Sequence, residues 1–264
     1  MILPEEYNSK KEKKHNIFLA RKKIFSSPNN NLNFLLKKRF GWMKKHLKNK
    51  KYIIELGSGN GCIKKILKNE KIILTDVTKY KWIDKKVDML NINLGKKYYN
   101  KVDVFILNHA LHHCPNPAKT LNTMLKYLKK NGLILINEPE ASFFLRVIQI
   151  ILKDEGWSFK KDVFDLKINL FKKNHPWFSN TAIANMLFMN SKKFTKNFPR
   201  YKIKKNELSE FFIFLNSSGV NAKIAYLPFN ISTLKLIDIF DGILIKLLPK
   251  IFALNRSVIL QKNY

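Results

Sequence analysis

Short apolar runs recur through the first half of the chain, each closed by polar or glycine-rich residues, and they alternate with segments of helical period. Continuous apolar runs bounded in this way predict strands buried on both faces, as in a parallel sheet. The pattern places strands at 52–54, 71–75, 87–90, 102–107 and 133–137. Helices are predicted at 62–69 and at 117–130, where Leu121, Met124, Leu125 and Leu128 share one face. The segment 102–137 then reads strand, helix, Asn131-Gly132 turn, strand, which is a βαβ unit. A further helix is predicted at 32–47, carrying Phe34, Leu35, Trp42, Met43 and Leu47 among lysines.

The second half is less regular. Residues 138–201 are too many for one crossover and hold Trp157, His175, Trp177, Phe178 and a predicted helix at 180–189. An insertion beyond the carboxyl ends of the strands is where open α/β sheets bind substrates, so 140–201 is read as a lid. Helix 206–217, a sixth strand at 222–227, mostly helical 231–252 and a last strand at 256–260 complete the pattern. Within 234–252, Leu236, Ile237, Ile239, Phe240, Ile243, Leu244, Leu247 and Leu248 outnumber the polar positions Lys235, Asp238, Asp241 and Lys246. Burial against the core or a dimer partner is predicted there, with a helix lying on an anionic leaflet as the alternative. The expected organisation is a leader and cap helix over 1–50 and one α/β domain over 51–264.

The most informative run is Glu55-Leu56-Gly57-Ser58-Gly59-Asn60-Gly61, directly after the first strand. Glycines at alternate positions allow positive φ and close approach to a ligand. The spacing departs from the dinucleotide pattern G-x-G-x-x-G, because Cys62 stands at the place of the third glycine, and no Gly-Lys-Ser/Thr closes a P-loop. The second strand ends in Asp76, a carboxylate able to accept both hydroxyls of a ribose. Asp88 and Met89 close the third, and Asn108 and His109 close the fourth.

These motifs resemble, in order and spacing over about residues 50–138, the class I S-adenosylmethionine-dependent methyltransferases, specifically the type-11 methyltransferase domain group. The resemblance implies a Rossmann-like α/β fold: a seven-stranded, mostly parallel sheet with an antiparallel last strand and helices on both faces. It also implies S-adenosyl-L-methionine as cofactor, held by Glu55, Gly57, Ser58, Gly59, Asn60, Gly61, Asp76, Asp88, Met89 and Asn108. The glycine turn would wrap the methionine part, Asp76 the ribose, and Asp88 with Met89 the adenine. A looser likeness, carried by Glu138-Pro139 and Asn180-x-Ala-Ile-x-x-x-Leu-Phe, is to methyltransferases of bacterial surface-polysaccharide and lipopolysaccharide synthesis.

Composition changes the picture in one respect. The formal charge is +31, which suits a polyanionic partner. Yet only five of the 50 basic residues are arginine, whereas nucleic-acid readers enlist arginine heavily; the excess of Lys, Asn and Ile fits A/T-rich codon usage. Two cysteines, Cys62 and Cys114, give no disulfide framework and fit a reducing cytoplasm. Residues 1–14 are charged without an apolar core, so no signal peptide is expected. The expected location is the cytoplasm, with peripheral contact to the inner membrane.

A hydroxyl acceptor needs a base, and His109, His112 and His175 are the first candidates, with His109 nearest the end of the fourth strand. His109, His112, His113 and Cys114 crowd into six residues without the separated pairs of ordinary zinc sites, so no metal is expected. Asn108-His109-Ala110-Leu111 lacks the Asp/Asn-Pro-Pro-aromatic motif of amino-methylating nucleic-acid enzymes. O-methylation of a sugar or lipid-linked surface-polysaccharide precursor is the leading expectation. RNA methylation through the basic surface, and a non-enzymatic binding role, are the alternatives.

Overall fold

The computed structural model describes residues 16–26, 28–152, 155–171, 178–221 and 224–263. In chain order the helices are α1 (Ile17–Ser26), α2 (Asn30–Gly41), α3 (Lys44–Leu47), α4 (Ile63–Ile66), α5 (Pro117–Tyr127), α6 (Phe143–Leu152), α7 (Ile183–Phe188), α8 (Ser191–Asn197), α9 (Phe212–Leu215), α10 (Ile231–Leu247) and α11 (Pro249–Phe252). The strands are β1 (Ile53–Leu56), β2 (Ile72–Asp76), β3 (Lys85–Lys86), β4 (Val102–Asn108), β5 (Leu128–Pro139), β6 (Tyr201–Ser209) and β7 (Asn255–Lys262). They form one sheet in the order β3-β2-β1-β4-β5-β7-β6. Pairing is parallel from β3 to β5, and β7 runs antiparallel to both β5 and β6.

Side chains alternate across a strand, so each apolar run feeds two cores. Ile54, Leu56, Phe105, Leu107, Ile134 and Ile136 face one side, where Leu121 and Met124 of α5 and Ile183, Leu187 and Phe188 of α7 cover them. Ile53, Val104, Ile106 and Leu135 face the other, against Leu32, Leu36 and Phe40 of α2. Both faces are therefore dry, which is why these strands carry unbroken apolar runs rather than alternation.

Several expectations are corrected. The third strand is Lys85–Lys86, ahead of Val87, and Met89–Asn91 is a 3-10 turn capped by Asp88, whose Oδ1 accepts Leu90 N–H at 2.9 Å. The sixth strand is Tyr201–Ser209, so the helix placed at 206–217 shrinks to Phe212–Leu215. In the stretch predicted as that strand, 222–223 lie outside the described residues and 224–230 form no strand. Side-chain amides take the place of a ladder there: Leu227 N–H donates to Asn216 Oδ1, and its carbonyl accepts from Asn216 and Asn31. Within 140–201, α7 and α8 pack into the main core through Leu187, Phe188 and Phe194. Finally, α10 does not bury its whole apolar surface against the core. Leu234, Asp241 and Ile245 face inward, with Asp241 accepting N–H bonds from Phe211, Phe212 and Ile213 to cap α9.

Candidate cofactor and acceptor site

Beyond the carboxyl ends of β1, β2 and β4 lies a cavity of about 660 Å³. Its floor is the turn after β1. Gly57, Gly59 and Gly61 all adopt positive φ, and Gly61 N–H donates to Ser58 O at 2.7 Å, which closes the loop. A Cβ on Gly57 would lie 2.7 Å from Ala110 Cβ, so only glycine lets this turn seat against the loop after β4.

The outer side of the turn is braced. Trp82 Nε1–H donates to Gly59 O at 2.8 Å, and the Arg21 guanidinium donates to Asn60 O at 2.7 Å while lying over the Trp82 and Phe25 rings. Asn60 Nδ2 donates to Asn221 Oδ1. Gly61 faces this brace, where a Cβ would meet Arg21 and Trp82, and it does not line the cavity.

Asp76 sits at the end of β2 and accepts Gly59 N–H at 2.8 Å and Thr78 N–H at 3.0 Å. Burial raises its carboxyl above the ordinary range, and these backbone donors offset part of the rise. Glu55 is more extreme. It is 3% exposed, lines the cavity, and its Oε2 has no hydrogen-bond partner. Burial pushes it up to about 8; the Ser58 side chain offsets part of this and Asp76 adds to it. An orphaned buried carboxyl oxygen calls for a cationic or donor group from a ligand.

Ser58, Asn60, Asp88, Met89, Asn108, His109 and His112 all line the same cavity as Glu55, Gly57, Gly59 and Asp76, so the structure brings these sequence candidates together. His175 lies outside the described residues. His109 holds φ +48, donates its backbone N–H to Asn137 O at 2.7 Å, and leaves Nε2 without a partner. Burial, and then the Arg39 charge, hold its imidazole well below the ordinary value, so it is a neutral ring.

His112 is different in kind. Its Nδ1 is 2.6 Å from Glu138 Oε2 and its Nε2 is 3.6 Å from Glu155 Oε2. Burial alone would lower it, but the two carboxylates outweigh burial and push it up to about 9. It therefore holds a proton near neutral pH and is a poor general base.

Sequence reasoning noted Glu138 only as part of a loose likeness and missed that it builds the loop after β4. Glu138 is fully buried at the end of β5, and its Oε1 accepts the N–H groups of Ala110 and Leu111 at 2.8 and 2.7 Å. Its Oε2 accepts His112 N–H at 3.2 Å besides the ring contact. One carboxylate thus gathers the 3-10 turn Leu111–His113. An acid at the end of an otherwise apolar strand was the available signal. Arg39, Glu155 and the α6 residues Leu145, Ile148, Gln149, Ile151 and Leu152 also line the cavity.

A sequence profile described as a methyltransferase domain matches residues 21–190, more than half of the chain, and the chain belongs to that family. A SAM-dependent methyltransferase from Archaeoglobus fulgidus shares the fold with a TM-score of 0.51 and 17% identity, over 93% of this chain and 99% of its own. The plantazolicin methyltransferase in complex with SAH aligns over 98% of this chain and 99% of its own, with 16% identity and a TM-score of 0.43. No curated protein matches the chain. The strand order, the glycine turn and the family membership together define an S-adenosyl-L-methionine-dependent methyltransferase.

Proposed function

We propose that the enzyme O-methylates a sugar or a lipid-linked precursor of a surface polysaccharide while resting on an anionic membrane. In this reading the glycine turn and Glu55 hold the methionine part of the cofactor, the orphaned Glu55 oxygen meeting its ammonium. Asp76 takes the ribose hydroxyls, and Asp88 and Met89 border the adenine. The bound cofactor supplies an electrophilic methyl on a sulfonium. The chain's task is then to align an acceptor and exclude water. His109, a neutral imidazole with a partnerless Nε2 in the cavity, is placed to take the acceptor's proton. The lid reading of 140–201 narrows to α6 and the residues after it, because these supply the apolar wall.

The observation that carries the acceptor reading is the outer face of α10. Leu236, Ile239, Phe240, Ile243 and Leu247 recur at helical spacing and are each between 52% and 69% exposed. Exposed Lys235, Lys246 and Lys250 flank this stripe. It continues into α11, where Phe252 stacks on Phe144 of α6 with ring centroids 5.4 Å apart. On α6, Phe143, Ile150 and Ile151 are also exposed, while Ile148 and Ile151 line the cavity. In this reading the apolar face of α10 and α11 adjoins α6, which also lines the cavity. A charge of +31 opposes pairing of two copies and favours an anionic leaflet. Among the described residues no helix is long and apolar enough to cross a membrane, so the contact is interfacial.

The test has two arms. Flotation with vesicles containing phosphatidylglycerol should carry the protein, and Ile239→Asp with Ile243→Asp should release it without changing cofactor affinity. Transfer of labelled methyl should then be found on glycan or lipid-linked sugar acceptors. Labelling of RNA transcripts instead, with no flotation, would overturn the reading.

A further inference from the structure

We propose that His112, His113 and Glu155 form a divalent-metal site of the zinc type on the acceptor side of the cavity. The two histidines stand on the 3-10 turn after β4, and Glu155 follows α6; all three line the cavity. One ligand atom from each residue lies within 4.8 Å of the others. His112 Nε2 is 3.6 Å from Glu155 Oε2, and His113 Nε2 is 3.9 Å from Glu155 Oε1. Ligands at about 2.0–2.1 Å from a tetrahedral zinc ion stand roughly 3.3 Å apart. The two carboxylate–imidazole separations exceed that spacing by roughly 0.3–0.6 Å.

The surroundings fix the ring orientations. His113 Nδ1 is 3.0 Å from Phe178 O, and a carbonyl can only accept, so Nδ1 carries the proton. His112 Nδ1 faces Glu138 Oε2 at 2.6 Å in the same sense. Both contacts direct Nε2 of each ring toward Glu155. Metal-bound histidines almost always donate the other ring N–H to a carboxylate or a backbone carbonyl, and that support fixes tautomer and orientation. Here one ring has each kind.

Charge and donor type agree. Glu138 and Glu155 set two carboxylates against the two imidazoles, an anionic surrounding that suits a cation bound at Nε2. Arg39, the cavity's guanidinium, is already committed to Glu210 through bonds of 2.7–3.0 Å. Two imidazole nitrogens and one carboxylate suit zinc and its first-row neighbours, whereas magnesium and calcium prefer all-oxygen shells. Three protein ligands leave a fourth position open, as in zinc sites that bind an exchangeable oxygen ligand. That the open position receives the acceptor hydroxyl rests on the O-methylation reading; the binding site itself does not. The crowding of His109, His112, His113 and Cys114 argued against a metal in the sequence because the third ligand, Glu155, is remote in the chain.

The full chain, freed of metal by chelation and dialysis, is titrated with Zn²⁺ by calorimetry and with Co²⁺ by visible absorption, without cofactor or acceptor; Mg²⁺ serves as control. One Zn²⁺ per chain is expected, together with cobalt d–d bands of a low-symmetry site. Glu155→Gln and His113→Asn, each checked for an unchanged circular-dichroism spectrum, should each weaken Zn²⁺ binding at least about 10-fold, since even partners outside the ligand shell cost that much. No binding by the folded wild type, or binding that neither substitution alters, overturns the proposal. Zinc binding that both substitutions weaken, with no methylation of any hydroxyl acceptor, would leave the site standing and refute the O-methylation reading instead.

Discussion

Glu55→Gln is the most telling perturbation, because its two effects have opposite signs. Burial lifts the Glu55 carboxyl from the ordinary 4.5 to about 8. Between those values the folded chain keeps a proton that the unfolded chain has released, so stability falls as pH rises through this window and levels off above it. At about 1.4 kcal/mol per pH unit the window is worth at most about 5 kcal/mol. Glutamine keeps the shape and cannot ionise, so the variant should lose this slope and gain on the wild type at pH 9, by several kcal/mol. The same substitution removes the charge that we assign to the cofactor's ammonium. A hydrogen bond to a charged group contributes about 1.5–3 kcal/mol, so S-adenosylmethionine should bind at least tenfold more weakly. Urea unfolding of the cofactor-free protein at pH 5, 7 and 9, paired with calorimetry at about pH 7.5, where the cofactor's amino group is still largely protonated, reads both. Parallel pH profiles for wild type and variant would refute the burial argument. Unchanged affinity would refute the placement of the ammonium.

Other substitutions probe the remaining parts of the site. Asp76→Ala removes the acceptor of the Gly59 and Thr78 N–H groups as well as the ribose carboxylate, and should weaken S-adenosylhomocysteine binding by roughly 1–3 kcal/mol in calorimetry; unaltered binding would dismiss Asp76 from the cofactor site. Gly57→Ala forces a side chain into φ +69 and against Ala110, and should cost roughly 1–3 kcal/mol in denaturant unfolding. An alanine variant as stable as wild type would show that the turn relaxes freely. Glu138→Gln presents an amide where three backbone N–H groups and an imidazole converge, and should destabilise by roughly 3–5 kcal/mol. A loss below about 1 kcal/mol would mean the loop after β4 is held by something else.

What the sequence determined by itself was local. Unbroken apolar runs located β1, β2, β4 and the core of β5, because strands dry on both faces tolerate little else. The run from Glu55 to Gly61 marked the ligand turn, since positive φ at alternate positions admits few residues besides glycine. The tertiary structure decided the rest. The sixth strand escaped the pattern because it is an edge: Lys202 and Lys204 point to solvent, and a bulge between Ile203 and Lys205 breaks the period. The apolar 224–227 segment lost its predicted ladder to the amides of Asn31 and Asn216, residues remote in the chain. The outward stripe of α10 reads in sequence like a buried face, because apolar period says which residues share a side and not what covers it. His112 and His113 were visible as candidates, but their meaning depends on Glu138 and Glu155, which only folding brings to opposite ends of the His112 ring.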